Sequence, residues 1–181
     1  FAADGTATLT VNSGGTLQGH GTVSGPVTIA SGGILSPGTS PGTLSVSGSV
    51  TQASGSLFDV EIDGTGTGNG AGNYDRVLVS GTPGTFTAGG TIVPTLRDIP
   101  GSATNTYTPP LGQMFEVVTA SGGVDGSFSG LTQPSSGLPV GTRFDAPYGS
   151  NSLTLIVTPE QYDNLAAVGA SQSKNQREVG E

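Results

Sequence analysis

The sequence predicts an all-β fold built as a solenoid, with one repeat per coil. Three observations predict it. LTVNSGGTL, opening at Leu9, is echoed by VTIASGGIL, opening at Val27. A looser third copy, LSVSGSVTQASGSL, opens at Leu44 and runs to Leu57, at nearly the same interval. A period near twenty marks stacked coils, because one coil cannot bury its apolar side alone. Second, the apolar residues fall in strand-sized alternating runs. Third, 32 Gly and 12 Pro punctuate those runs, so the connections are read as tight turns.

The elements follow in order. Strands are expected at Thr8–Val11, Thr22–Ile29, Leu44–Val50 and Leu57–Ile62. In the last, Phe58, Val60 and Ile62 alternate with Asp59, Glu61 and Asp63, which predicts one face in the core and one in water. GTGTGNGAGN (64–73) reads as a flexible low-complexity loop. Strand signals resume at Tyr74–Val79, Thr91–Leu96, Met114–Thr119 and Leu153–Val157, with a Pro/Thr-rich excursion between Leu96 and Met114. Aromatics grow denser toward the C-terminal half (Phe115, Phe128, Phe144, Tyr148), which suggests a bulkier, better-packed end. After Thr158 the composition shifts to Glu, Gln, Ala and Lys. Thr158 is positioned as an N-cap, Pro159 as the first helical residue, and Tyr162, Leu165 and Ala166 share one helical face. A short helix is expected there.

Composition excludes several classes. Thirteen acidic residues against five basic ones give a charge of −8, which opposes binding to nucleic acid or anionic lipid. No apolar run reaches the ~20 residues of a membrane-spanning helix. Phe1 opens directly into β-like sequence with no basic, apolar leader, which reads as an excised fragment. There is no Cys, so no disulfide framework and no thiolate chemistry.

Candidate chemistry is sparse. Asp59, Glu61 and Asp63, on alternate positions of one strand, lie roughly 6.5–7 Å apart, within the carboxylate spacing of inverting glycosidases. Catalysis also needs a cleft and one carboxyl with a raised pKa, which an exposed strand face does not supply, so a solvated face is the preferred reading. Asp63, Asn69, Asn73 and Asp75 around the glycine-rich loop offer oxygens to calcium, but the repeated GGxGxD pattern is missing and a plain loop is preferred. His20, the only histidine, sits between glycines with no Cys and no second His, which argues against a transition-metal site or a catalytic triad. No GxxxxGK[ST] occurs. No catalytic, cofactor-binding or metal residue is assigned.

The run LSPGTSPGTLSVSG (Leu35–Gly48) resembles the passenger domains of classical bacterial autotransporters, the type V secreted proteins. GTLQGHGTV (Gly15–Val23), GSLFDVEIDG (Gly55–Gly64), YDRVLVSG (Tyr74–Gly81), GGTIVPTL (Gly89–Leu96), FEVVTASGGVDGSF (Phe115–Phe128) and SLTLIVTP (Ser152–Pro159) fit the family's order, covering most of residues 9–181. The resemblance is to the passenger's C-terminal part, just before the outer-membrane β-barrel. It implies a right-handed parallel β-helix over 1–96, a capping, autochaperone-like part over 97–158, and a helical linker toward the barrel over 159–181. Only single Asn164 and Asn175 stand in the linker, so the family's Asn-Asn cleavage pair is not carried over.

The expected function is therefore a non-enzymatic stalk and folding segment at the surface of a Gram-negative bacterium, either anchored through the barrel or released. It needs no cofactor and no membrane insertion of its own. Its partners would be that barrel and the N-terminal passenger coils. The residues expected to seed and cap the stack are Phe58, Val60, Ile62, Val77, Val79, Phe115, Val117, Phe128, Phe144, Tyr148, Leu153 and Leu155. The alternatives are an adhesion or self-association module using the outer face or the 97–113 excursion, and a carbohydrate-active enzyme using the carboxylates of 59–63.

Overall fold

The computed structural model describes residues 7–162 and 168–169. Strands β1 (Leu9–Val11), β2 (Thr16–Gly19) and β3 (Gly21–Ser24) each open a different sheet. β4 (Val27–Ile29), β5 (Ile34–Pro37) and β6 (Thr43–Ser47) lie beside them in parallel. β7 (Val50–Gln52), β8 (Leu57–Glu61) and β9 (Arg76–Ser80), then β10 (Phe86–Ala88), β11 (Thr91–Thr95) and β12 (Met114–Ala120), repeat the pattern. Each strand thus pairs with the third one after it. The described residues are all-β, in three sheets made mainly of parallel strands, consistent with a β-helix-like arrangement.

The echo between the first two copies is the pairing register itself: Leu9 lies opposite Val27, and Leu17 opposite Leu35. The third copy is corrected. Val27 pairs with Val50 and not with the strand at Leu44. The true third copy is VTQASGSL, and the step to it is longer than the first. The extra length lies in the SPGTSPG turn, where seven positions separate Pro37 from Leu44 and only two separate their partners Gly19 and Gly21. Two expected strands are also split. Gly25-Pro26 breaks Thr22–Ile29 into β3 and β4, and Gly48-Ser49 breaks Leu44–Val50 into β6 and β7, because each corner turns the chain into the next sheet.

Alternation sorts the side chains. Val27, Ile29, Val50 and Phe86 point inward and are buried, while Thr10, Thr28, Thr51 and Thr87 stack at matching positions between them. Stacking repeats in register thus puts threonine against threonine along one face of this sheet.

The C-terminal end is built differently. β13 (Val124–Gly126) and β14 (Gly130–Leu131) continue two sheets as short edge strands. In the third sheet, β15 (Thr142–Asp145) and β16 (Ser152–Pro159) form an antiparallel pair, and β16 lies antiparallel on β12. Short edges and an added antiparallel pair both blunt the exposed backbone that would template further strands. Aromatics fill this end: Phe115 meets Phe144 edge-on at 6.1 Å and Tyr74 at 5.2 Å, and Phe128 stacks on Phe58 at 5.9 Å. Thr158 and Pro159 belong to β16, not to a helix start; Pro159 lies opposite Thr142 at the edge of the pair, a position that tolerates proline. The rest of the expected helix lies outside the described residues, apart from Glu160 to Tyr162 and 168–169.

Candidate functional site

Between β8 and β9 the chain leaves the sheets and returns. An antiparallel bridge between Ile62 and Tyr74 closes the base of this 62–75 excursion, and Asp63 N–H donates to the Asn73 carbonyl at 2.9 Å. Expected as a flexible loop, it is instead held by its own side chains. Asn73 Oδ1 accepts from Gly68 N–H at 2.7 Å, and its amide donates to the carbonyls of Asn69, Gly70 and Ala71. Asn69 Oδ1 accepts from Thr43 N–H, and Gly70 N–H reaches the Pro41 carbonyl. The excursion therefore folds back over the turn that precedes β6.

At its base sits a cluster of buried acidic side chains. Asp75 is fully buried. Its two carboxylate oxygens accept the N–H of Gly42 at 2.7 Å and of Glu61 at 2.9 Å, tying together the segments before β6 and at the end of β8. Glu61 is only 9% exposed, with Oε1 3.4 Å from the Ser40 hydroxyl and Oε2 without a partner. Ser40, also buried, holds a left-handed backbone with φ 69°. Asp59, the preceding residue on the same side of the strand, is half-buried.

The expectation of a solvated acidic face is thus corrected. Alternation does turn Asp59 and Glu61 away from Phe58 and Val60, but Ser40 and Asp75 close over Glu61, and only Asp59 stays half-exposed. The electrostatics follow. Burial pushes the Asp75 carboxyl up to about 8, against the two N–H bonds that favour its charge, and Glu61 and Asp59 push it the same way. Burial also raises Glu61, helped by Asp59 and opposed by the Ser40 hydroxyl, and it raises Asp59.

Asp63, on the same face in sequence, goes elsewhere. Burial would raise it, but donors from the Thr104 N–H and hydroxyl, Gly72 N–H and Asn105 N–H outweigh burial and hold it below the usual carboxylate range. These bonds fasten the 97–113 excursion to the 62–75 one. Arg97 braces the former from within, donating to the carbonyls of Leu96 and Tyr107 and to the Thr108 hydroxyl. The four oxygen donors considered for calcium are therefore spent on separate backbone partners. Among the described residues, no three His, Cys, Asp or Glu side chains gather as a metal site. His20 is exposed, 3.4 Å from the Thr39 hydroxyl.

A raised carboxyl beside a second carboxylate is half of what glycoside hydrolysis uses. The other half is access, and a fully buried Asp75 beside a nearly buried Glu61 offers a sugar no approach. Sequence reading places Asp75 among loop oxygens and passes over Ser40. Nothing in the spacing ties Asp75 to Glu61, because the fourteen-residue detour that joins them obeys no strand period.

Of the expected core and cap residues, Phe58, Val60, Ile62, Val77, Val79, Phe115, Val117, Phe144, Leu153 and Leu155 are buried, and Phe128 is partly buried. Tyr148 lies outside the core. It is 39% exposed, in a bridge opposite Leu153, and its hydroxyl accepts the Phe128 N–H at 2.8 Å. The polar tip is needed at the surface, so the ring is not drawn into the core. At the far end of the stack, an open depression of about 410 Å³ is lined by Leu9, Val11, Leu17 and their neighbours.

No protein-family model matches this chain, and no curated protein matches it in sequence.

Proposed function

We propose that the chain is a right-handed parallel β-helical stalk and folding segment of a bacterial autotransporter passenger, exported to the cell surface of a Gram-negative bacterium. The observation that carries this reading is the asymmetry of the stack. Among the described residues β1, β2 and β3 end their sheets, and Leu9, Val11 and Leu17 of the first two line an open depression, whereas β15 and β16 cover β12 at the other end. In this reading the N-terminal edges carry on into further passenger coils, and the covered end faces the family's outer-membrane barrel.

Such a module would act by templating. Parallel pairing between strands far apart in sequence is slow to nucleate, because loop closure precedes any favourable contact. A preformed coil with a shielded end lowers that cost for the next coil and removes one aggregation-prone edge. Residues 97–158 would supply the shield and 1–96 the first coils, with 159–181 as the linker. The reading is non-enzymatic, and the inaccessibility of Asp75 and Glu61 supports it.

The test is deletion of residues 97–158 from the full-length protein, followed by protease treatment of intact cells. Passenger that reaches the surface but is degraded supports a folding module. Passenger that stays resistant removes the chaperone role from this segment.

A further inference from the structure

The acidic cluster under the 62–75 excursion has a property that neither a stalk nor a cap requires. Among the described residues, Asp75 and Glu61 are buried side by side, half-buried Asp59 is close enough to raise both, and no cation is paired to any of the three. Arg76, next in sequence, turns away to Glu116, with Nη2 3.8 Å from its carboxylate and Nε donating to its carbonyl. β11 places Val93 and Thr95 opposite Asp59 and Glu61, the turn through Ser40 contributes a hydroxyl and the Gly42 N–H, His20 beside Thr39 of that turn is exposed, and Arg97 is committed to the other excursion. The Tyr74 hydroxyl lies beside Arg76 and Glu116. Yet Asp75 is the pin that joins Gly42, Glu61 and the base of the excursion.

We propose that Asp59, Glu61 and Asp75 form a proton-dependent latch: protonated, the cluster holds the base of the 62–75 excursion against the strands, and ionised, it releases it. The argument rests on geometry. Both Asp75 oxygens accept a backbone N–H in either protonation state, since a protonated oxygen keeps a lone pair for that bond. Ionisation therefore breaks no bond directly. It places a second negative charge in a covered space beside Glu61, whose Oε2 already lacks a donor. Without a cation, opening to water is the available relief.

The sign is fixed by the direction of the shift. Asp75 titrates at about 8 in the closed form, above its ordinary 3.8. Its contribution is complete below the ordinary value and is lost as the pH rises through about 8. Asp59 and Glu61 act in the same sense. Asp63 acts oppositely: its tie to Thr104 and Asn105 is present above 3.8 and is lost as the pH falls through its lowered value. The 62–75 excursion is thus held best in mildly acidic conditions: its base loosens from the strands as the pH rises, and its tie to the 97–113 excursion loosens as the pH falls. The inference concerns this chain alone and does not depend on the export reading.

The test combines a carboxyl ¹³C titration with amide hydrogen exchange on the whole chain. In the wild type the Asp75 carboxyl should titrate near 8. After correction for intrinsic chemistry, opening at the Gly42 and Glu61 amides should rise up to about tenfold per pH unit between about pH 5 and 8, while Val27, bonded to Ser49 in the stack, stays flat. Glu61→Gln removes one like charge, so it should move the Asp75 titration to lower pH and shorten the rise. Asp75→Asn sets an amide N–H against a backbone N–H, so its opening should be high and independent of pH. An Asp75 carboxyl titrating near 4, equal opening at both pH values, or a Glu61→Gln variant with an unmoved Asp75 midpoint would each overturn the latch.

Discussion

At one end of the stack Val11 lies on the last strand of a sheet and is 8% exposed; toward the other, Val118 sits between Val77 and Leu153 and has no exposure. Both are inward-facing valines on parallel strands. The difference is that Val118 has neighbours on both edges, a parallel strand on one and an antiparallel strand on the other. In such sheets burial depends on a strand's position across the sheet as much as on residue type. The most telling comparison is therefore the same substitution made at both ends.

Val118→Ala removes two carbons from a site packed on every side, and the lost transfer energy adds to a cavity that β16 cannot collapse into. The expected cost is about 2–3 kcal/mol. Val11→Ala removes the same atoms beside an open depression, where water already has access, and about 1 kcal/mol is expected. Urea unfolding of both variants checks this. Equal losses would mean that the two ends are packed alike in solution.

The glycines extend the comparison to the turns. Gly14 and Gly32 occupy the same place in successive repeats, both at φ +77°. A Cβ on Gly14 would meet nothing, whereas one on Gly32 would lie 2.5 Å from Ser13 Oγ, in the repeat stacked before it. Left-handed strain alone predicts about 1–2 kcal/mol for Gly14→Ala. Gly32→Ala should cost more by up to about 1 kcal/mol, since a serine hydroxyl moves readily. That excess should shrink in a Ser13→Ala background, read as a double-mutant cycle. No change in the excess would place its origin elsewhere than in the contact between successive repeats.

Much of this stack is legible in the sequence because parallel pairing repeats what the sequence repeats. SGG recurring after VTI and LTV marks both the turn and the register, and alternation from Phe58 to Ile62 marks the inward face. The outward face is another matter. Alternation states that Asp59 and Glu61 point away from the core, but not whether that side meets water. The answer depends on where a long detour returns, and that is set by the backbone partners that Asp75 and Asn73 find. Such bonds leave no period behind them. β2 and β5 escape a reading by strand runs for a related reason: each is short and ends in Gly or Pro, so turn signals overwrite strand ones.

The smallest effect separates packing from polar attachment at the closed end. The sequence puts both Tyr148 and Phe128 among the core and cap residues, and only Phe128 approaches the core, stacked on Phe58. Tyr148 holds Phe128 from outside through a single bond from the Phe128 N–H to its hydroxyl. Tyr148→Phe keeps the ring and removes the acceptor. Because the bond is exposed, water can replace the lost partner, and about 0.5–1 kcal/mol is the expected loss. Amide exchange at Phe128 should rise by about fivefold or less, with β16 unaffected, since the bond is local. A larger loss that spread into β16 would make Tyr148 a keystone of the cap, and it would move the division between core and surface at this end one residue layer outward.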